Sequence, residues 1–150
     1  MKKTLLISFL CFALDQITKM VIVGNLDVGQ SIGIIKNFFN ITLVYNKGAA
    51  FSMFKNSGVF LIIISLLVVI FLLYYIIKSN LKKHEVIIYG IITGGILGNL
   101  YDRIIYGAVV DFLQVGSFPI FNLADVFIVC GIVLLVIFMI GDGKYENSRG

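Results

Sequence analysis

The sequence predicts an all-α membrane protein: four transmembrane helices, a small extracytoplasmic β-sheet between helices 1 and 2, and both termini in the cytoplasm. Three observations predict it. The 150-residue chain is 59% hydrophobic and only 13% charged, with a mean hydropathy of +1.03, whereas soluble domains carry roughly 25% charged residues. Four stretches are apolar enough to cross a bilayer, which takes about 20 residues each. The lysines gather where those stretches end, so the net charge of +4 reflects topology and not affinity for nucleic acid.

The spans are expected at about 4–23, 58–77, 86–106 and 119–140, in one integral-membrane domain covering 1–150. Lys2 and Lys3 precede the first span, Lys78, Lys82 and Lys83 separate the second from the third, and Lys144 and Arg149 follow the fourth. An even number of spans puts all three groups on the cytoplasmic side. MKK and the apolar run after it fit the start of a signal peptide. No small-x-small cleavage site follows, Asp15 and Lys19 interrupt the run, and Leu10 is too bulky to precede a lipidated Cys11. A retained first helix is expected.

The loop at 24–57 is too long for a plain connector. Asn40–Val44, with Phe38, Phe39 and Tyr45 beside it, has β character. NKGAAFS follows, where a glycine lets the chain pass close to a ligand. Cys11 and Cys130 lie in apolar runs as small core or lipid-facing residues, and His84 falls in a charged loop. None of them makes a metal-ligand spacing, so no metal or cofactor is expected.

The polar residues inside the apolar segments fall at one depth. Asp15 and Lys19 lie in the outward half of the first span. Asn99, Asp102 and Arg103 lie near the outer end of the third, and Asp111 follows it. Asn122 and Asp125 open the fourth, with Asp125 roughly 10 Å or less inside the outer boundary at about 1.5 Å per residue. Ionisable groups in a membrane are costly, and one shared polar site at that level explains them together. Between Asp111 and Asp125 lie Gly116 and Pro119, which read as helix end, turn and new helix start. Such a turn brings the two carboxylates back towards each other.

Each feature also has a plainer explanation. Asp15 and Lys19, at i and i+4, form an ion pair that is structural or positions substrate. Asp102 with Arg103 is a packing and interface anchor. Asp125 is also the acid at the third position of a helix capped by Asn122, and Asp111 a solvated loop residue. Gly94, Gly95 and Gly98 give the third span a smooth packing face. A small proton- or ion-coupled transporter, or a non-enzymatic assembly subunit, are the rival classes. An ion path needs polar groups on both sides of the midplane, and here they cluster in one leaflet.

Five segments resemble the bacterial lipoprotein signal peptidases, also called signal peptidase II, in that family's order. They are DQITK at Asp15–Lys19, VYNKGAAFS at Val44–Ser52, GGILGNLYDR at Gly94–Arg103, VVDF at Val109–Phe112 and FPIFNLAD at Phe118–Asp125. The resemblance implies a membrane aspartyl endopeptidase of the bacterial cytoplasmic (inner) membrane, multi-pass, with its active site near the outer face. It implies removal of the signal peptide of diacylglyceryl-modified prolipoproteins, just before the lipidated cysteine. The catalytic pair maps onto Asp111 and Asp125. Supporting positions map onto Asp15, Lys19, Asn46, Gly48, Asn99, Asp102, Arg103, Asn122 and Ala124. The implied partners are a diacylated prolipoprotein and membrane lipids, with inhibition by globomycin-like cyclic peptides, no nucleic acid and a monomeric state. Two departures stand out: a short spacer between the aspartates, and Ser52 where the family often has glycine.

Overall fold

The computed structural model describes residues 1–36, 38–48 and 57–147. The Ala49–Ser52 end of the outer-loop motif lies outside the described residues, as does the rest of 49–56. Among the described residues, four long helices and three strands follow in the order α1 (Lys2–Asn25), β1 (Ser31–Ile35), β2 (Phe39–Asn46), α2 (Ser57–Lys78), α3 (Lys83–Tyr106), β3 (Val109–Val115) and α4 (Leu123–Asn147).

Among the described residues, three helical stretches, Lys2–Asn25, Gly58–Lys78 and Leu123–Gly141, are long and apolar enough to cross a membrane. Their large apolar side chains point outward: Phe9 and Met20 on α1, Ile70 and Phe71 on α2, Val129 and Met139 on α4 are all exposed. In water that surface would drive aggregation. Lipid is a good solvent for it.

α3 is different and is the centre of the bundle. It buries Gly90, Gly94, Gly95, Gly98, Asn99 and Asp102 along its length, and packs against α1, α2 and α4. The glycines are needed for close approach. A Cβ at Gly94 would sit 2.5 Å from the Ser8 carbonyl of α1, and one at Gly95 would sit 2.6 Å from the Ala124 carbonyl of α4. Small residues let helix backbones approach to van der Waals distance where lipid provides no hydrophobic drive. α3 stops at Gly107, which adopts a left-handed φ of 66° and returns its N–H to the Arg103 carbonyl.

The strands form one antiparallel sheet in the order β1-β2-β3. Leu26, Leu43 and Val110 make its small core against the end of α1. The far edge, β1, is exposed along its whole length and carries Ile32, Ile34 and Ile35.

Three local expectations are corrected here. The segment after α3, read as helix end and turn, is strand β3, so the sheet also draws a strand from between α3 and α4. Gly107 ends the helix, and the β-branched pair Val109–Val110 then favours extended backbone. α4 begins at Leu123 and not at Pro119. Phe121 is still extended, exchanging hydrogen bonds with Leu113 (2.7 and 3.0 Å). His84 lies in the first turn of α3, not in a loop, and stacks on Phe138 at 4.3 Å.

Candidate active site

The site is built where α4 starts. Asn122 caps the helix: its Oδ1 accepts the Asp125 N–H at 2.9 Å, while Asp125 Oδ2 accepts the Asn122 N–H at 3.2 Å. This reciprocal capping box fixes the Asp125 carboxylate against the first turn. The plain capping role of Asp125 and its membership of the polar cluster therefore coexist.

The Asn122 side chain is fully committed. Its Nδ2 donates to Asp111 Oδ1 at 2.7 Å and to Asn99 Oδ1 at 2.9 Å. Asn99 Nδ2 in turn donates to Asp125 Oδ1 at 2.7 Å. Asp111, on β3 opposite Val44 of β2, also accepts from Asn46 Nδ2 at 2.8 Å. Asn46 Oδ1 accepts the N–H of Gly48, whose φ of 79° is a backbone shape glycine adopts without strain. Asp111 and Asp125 thus flank one asparagine, held by four amide donors, three of them side-chain.

Behind this pair lies a buried ionic cluster. Lys19 Nζ is 2.8 Å from both Asp15 Oδ2 and Asp102 Oδ2, and donates to Asn99 Oδ1 at 3.2 Å. Asp15 and Asp102 are wholly buried. Burying one charge without a partner costs several kcal/mol, and such clusters persist only when every polar atom is satisfied. Here each carboxylate also accepts a backbone N–H: Ala124 donates to Asp15 Oδ1 at 2.9 Å, and Val110 donates at 3.0 Å to Asp102 Oδ2, the oxygen that also faces Lys19, while Asp102 Oδ1 accepts from Gln16. The ion pair read between Asp15 and Lys19 is present, and Asp102 joins it. Arg103 is half-buried; its Nη1 donates to the Asn99 carbonyl at 3.3 Å.

Cavities among the described residues open beside the pair. One, of about 260 Å³, lies between α2, α3 and α4 and is lined by Ser65, Val68, Asn99, Arg103, Asp125 and Ile128 among others. Another, of about 470 Å³, lies beside β2 and β3 of the sheet and is lined by Asn46, Lys47, Asp111 and Pro119 among others. One is mainly a helix cleft, the other a sheet cleft, and each reaches one aspartate.

Burial pushes the Asp111 carboxyl up to about 6. The Asn46 amide opposes this, the Asp125 charge adds to it, and the Asn122 amide and Lys19 charge oppose it again. A carboxyl that titrates this close to neutrality, beside a second carboxylate and in a cleft, has the environment of a proton-transfer group.

The family model of signal peptidase (SPase) II matches residues 7–141. The chain belongs to the signal peptidase II family. It is 39% identical to the lipoprotein signal peptidase of Clostridium tetani, covering 97% of each chain. It is 41% identical to that of Clostridium novyi over 87% of this chain and 93% of the relative. Two solved bacterial membrane enzymes, determined by the in meso method at 1.9 and 2.3 Å resolution, share its fold. The first has a TM-score of 0.87 at 33% identity, covering 93% of each chain. The second has a TM-score of 0.88 at 32% identity, covering 97% of this chain and 92% of the other.

Within this signal peptidase II chain, the sequence-derived positions sort into two shells. Asn46, Asn99 and Asn122 touch the aspartates directly; Asp15, Lys19 and Asp102 stand behind them, with Ala124 supplying a backbone N–H and Gly48 orienting Asn46. Two residues were not singled out by sequence. Gln16 donates to both Asp15 and Asp102; its place inside DQITK was the available signal. Ser65 of α2 gave none beyond being a serine between apolar residues in the middle of an apolar helix.

Proposed function

We propose that this membrane peptidase is an aspartyl endopeptidase that removes the signal peptide from diacylglyceryl-modified prolipoproteins. It cuts the peptide bond before the lipidated cysteine, using water activated between Asp111 and Asp125. The observation that carries this is the position of Asn122, hydrogen-bonded to both carboxylates at once. The names of the relatives supply the substrate class.

Two adjacent carboxylates share a proton, because both cannot ionise cheaply in one site. Asp111 holds that proton, since burial favours its neutral form. Ionised Asp125 takes a proton from water, and the oxygen attacks the scissile carbonyl carbon. Asp111 donates its proton to the carbonyl oxygen, giving a tetrahedral intermediate. The intermediate collapses as the C–N bond breaks; Asp125 passes its proton to the leaving amine of the lipidated cysteine, and Asp111 recovers its own. Asn99 and Asn122 hold both carboxylates in place throughout, so little reorganisation is needed.

In this account α3 is a fourth span, too polar at one end to stand alone in lipid and shielded by the other three. The whole chain is one integral-membrane domain of the bacterial inner membrane, with cytoplasmic termini and the site near the outer face. The helix cleft takes the apolar signal segment and the sheet cleft takes the chain beyond the cut. A monomer suffices, and a globomycin-like cyclic peptide competes for the same clefts. Incubating the purified protein in detergent with a diacylated prolipoprotein tests this. The account expects a size shift of the substrate that globomycin blocks; an unchanged substrate, or cleavage equally fast without the diacylglyceryl group, contradicts it.

A further inference from the structure

Two buried carboxylates outside the pair hold the backbone one residue ahead of each site aspartate. Asp102 Oδ2 accepts the N–H of Val110, directly before Asp111; Asp15 Oδ1 accepts the N–H of Ala124, directly before Asp125. Asp15 belongs to α1 and Asp102 to α3, and two side chains join them. Lys19 pairs with both as a compact charge that bonds in any direction. Gln16 is different. Its single planar amide nitrogen donates to Asp15 Oδ2 at 3.1 Å and Asp102 Oδ1 at 3.0 Å, and also lies 3.3 Å from the Gly98 carbonyl. A planar amide fixes the angle and spacing between its acceptors.

We propose that Gln16 is a positioning residue: by tying Asp15 to Asp102 it sets the separation of Asp111 and Asp125. Neither cleft beside the aspartates is lined by Gln16, which instead borders a separate cavity of about 290 Å³ with Met20, Val23 and Tyr106. Its effect on cleavage therefore passes through the carboxylates it holds and not through substrate. Gly98 belongs to the same device, because a Cβ there would run into the Asp15 carboxylate.

The test uses the full chain in detergent with Gln16→Met, which keeps bulk and removes the donors, and Gln16→Arg, which restores donors in a planar fork suited to carboxylates. Its activity arm rests on the peptidase function proposed above; amide hydrogen exchange at Val110 and Ala124 does not. A misplacement of about 1 Å costs on the order of a hundredfold in rate. Gln16→Met is expected to lower kcat on a diacylated prolipoprotein at least about tenfold with KM within about twofold. Exchange at both amides should quicken, and Gln16→Arg should restore kcat and protection together. Wild-type kcat in Gln16→Met, a change in KM alone, or unchanged exchange at both amides overturns the proposal. If Gln16→Met does not fold, Gln16→Arg decides: kcat retained supports positioning and kcat lost overturns it. If wild type itself does not cleave, the peptidase function fails, while exchange still decides whether Gln16 holds the strand and the helix of the site.

Discussion

Asn122 Nδ2 lies 2.7 Å from Asp111 Oδ1, and the same asparagine caps the helix that carries Asp125. One side chain thereby sets the relation between a strand and a helix. Asn122→Ala removes the cap as well as the bridge. It should lower kcat on a diacylated prolipoprotein by roughly a hundredfold, and lower stability by about 1 kcal/mol. Steady-state kinetics beside thermal unfolding separates the two effects.

The proposed proton on Asp111 gives a pH test. In the proposed mechanism activity needs that carboxyl neutral, so kcat/KM should fall on the alkaline side of a limb governed by it, which burial has raised to about 6. Asn46 donates to the ionised form and so favours it. Asn46→Ala removes that support, raises the carboxyl further, and should move the limb to higher pH. A shift to lower pH would contradict the assignment of the proton to Asp111.

The same carboxyl makes stability depend on pH. Its folded value, about 6, stands above the ordinary 3.8. Between these values the unfolded chain releases the proton while the folded chain keeps it. The stabilisation is therefore complete below about pH 4 and is lost as pH rises through about 6. Asp111→Asn removes this loss. The difference in unfolding temperature, variant minus wild type, should grow from pH 4 to pH 7 and level off above.

Lys19 is the only cation paired with Asp15 or Asp102 among the described residues. Lys19→Met leaves two buried carboxylates without it, which should cost about 3–5 kcal/mol. The folded fraction by size-exclusion chromatography in detergent, compared with an exposed control such as Lys36→Met, checks this.

The long helices were legible because a span needs length and apolarity and little else. The apolar runs at 4–23, 58–77 and 86–106 fall within α1, α2 and α3. The joints were less legible. Pro119 signals a helix start, but the extended pairing of Phe121 with Leu113 delays it to Leu123. β3 hid behind the glycine and proline that follow it; its strand partner, β2, lies about seventy residues earlier, and no local pattern announces so distant a pairing. The polar residues were legible as a group by depth, and the i, i+3 spacing of Asn122 and Asp125 forecast the capping box. What each one touches was not legible: Val110 and Ala124 act through backbone N–H groups, which carry no sequence signature.

The account turns on Asp111 and Asp125 acting on one water molecule. The most direct measurement reconstitutes Asp111→Asn and Asp125→Asn separately in vesicles and follows cleavage of a diacylated prolipoprotein beside wild type, with insertion checked by protease protection. The account predicts that each inserted variant loses cleavage altogether. Cleavage at the wild-type rate by either one would contradict it.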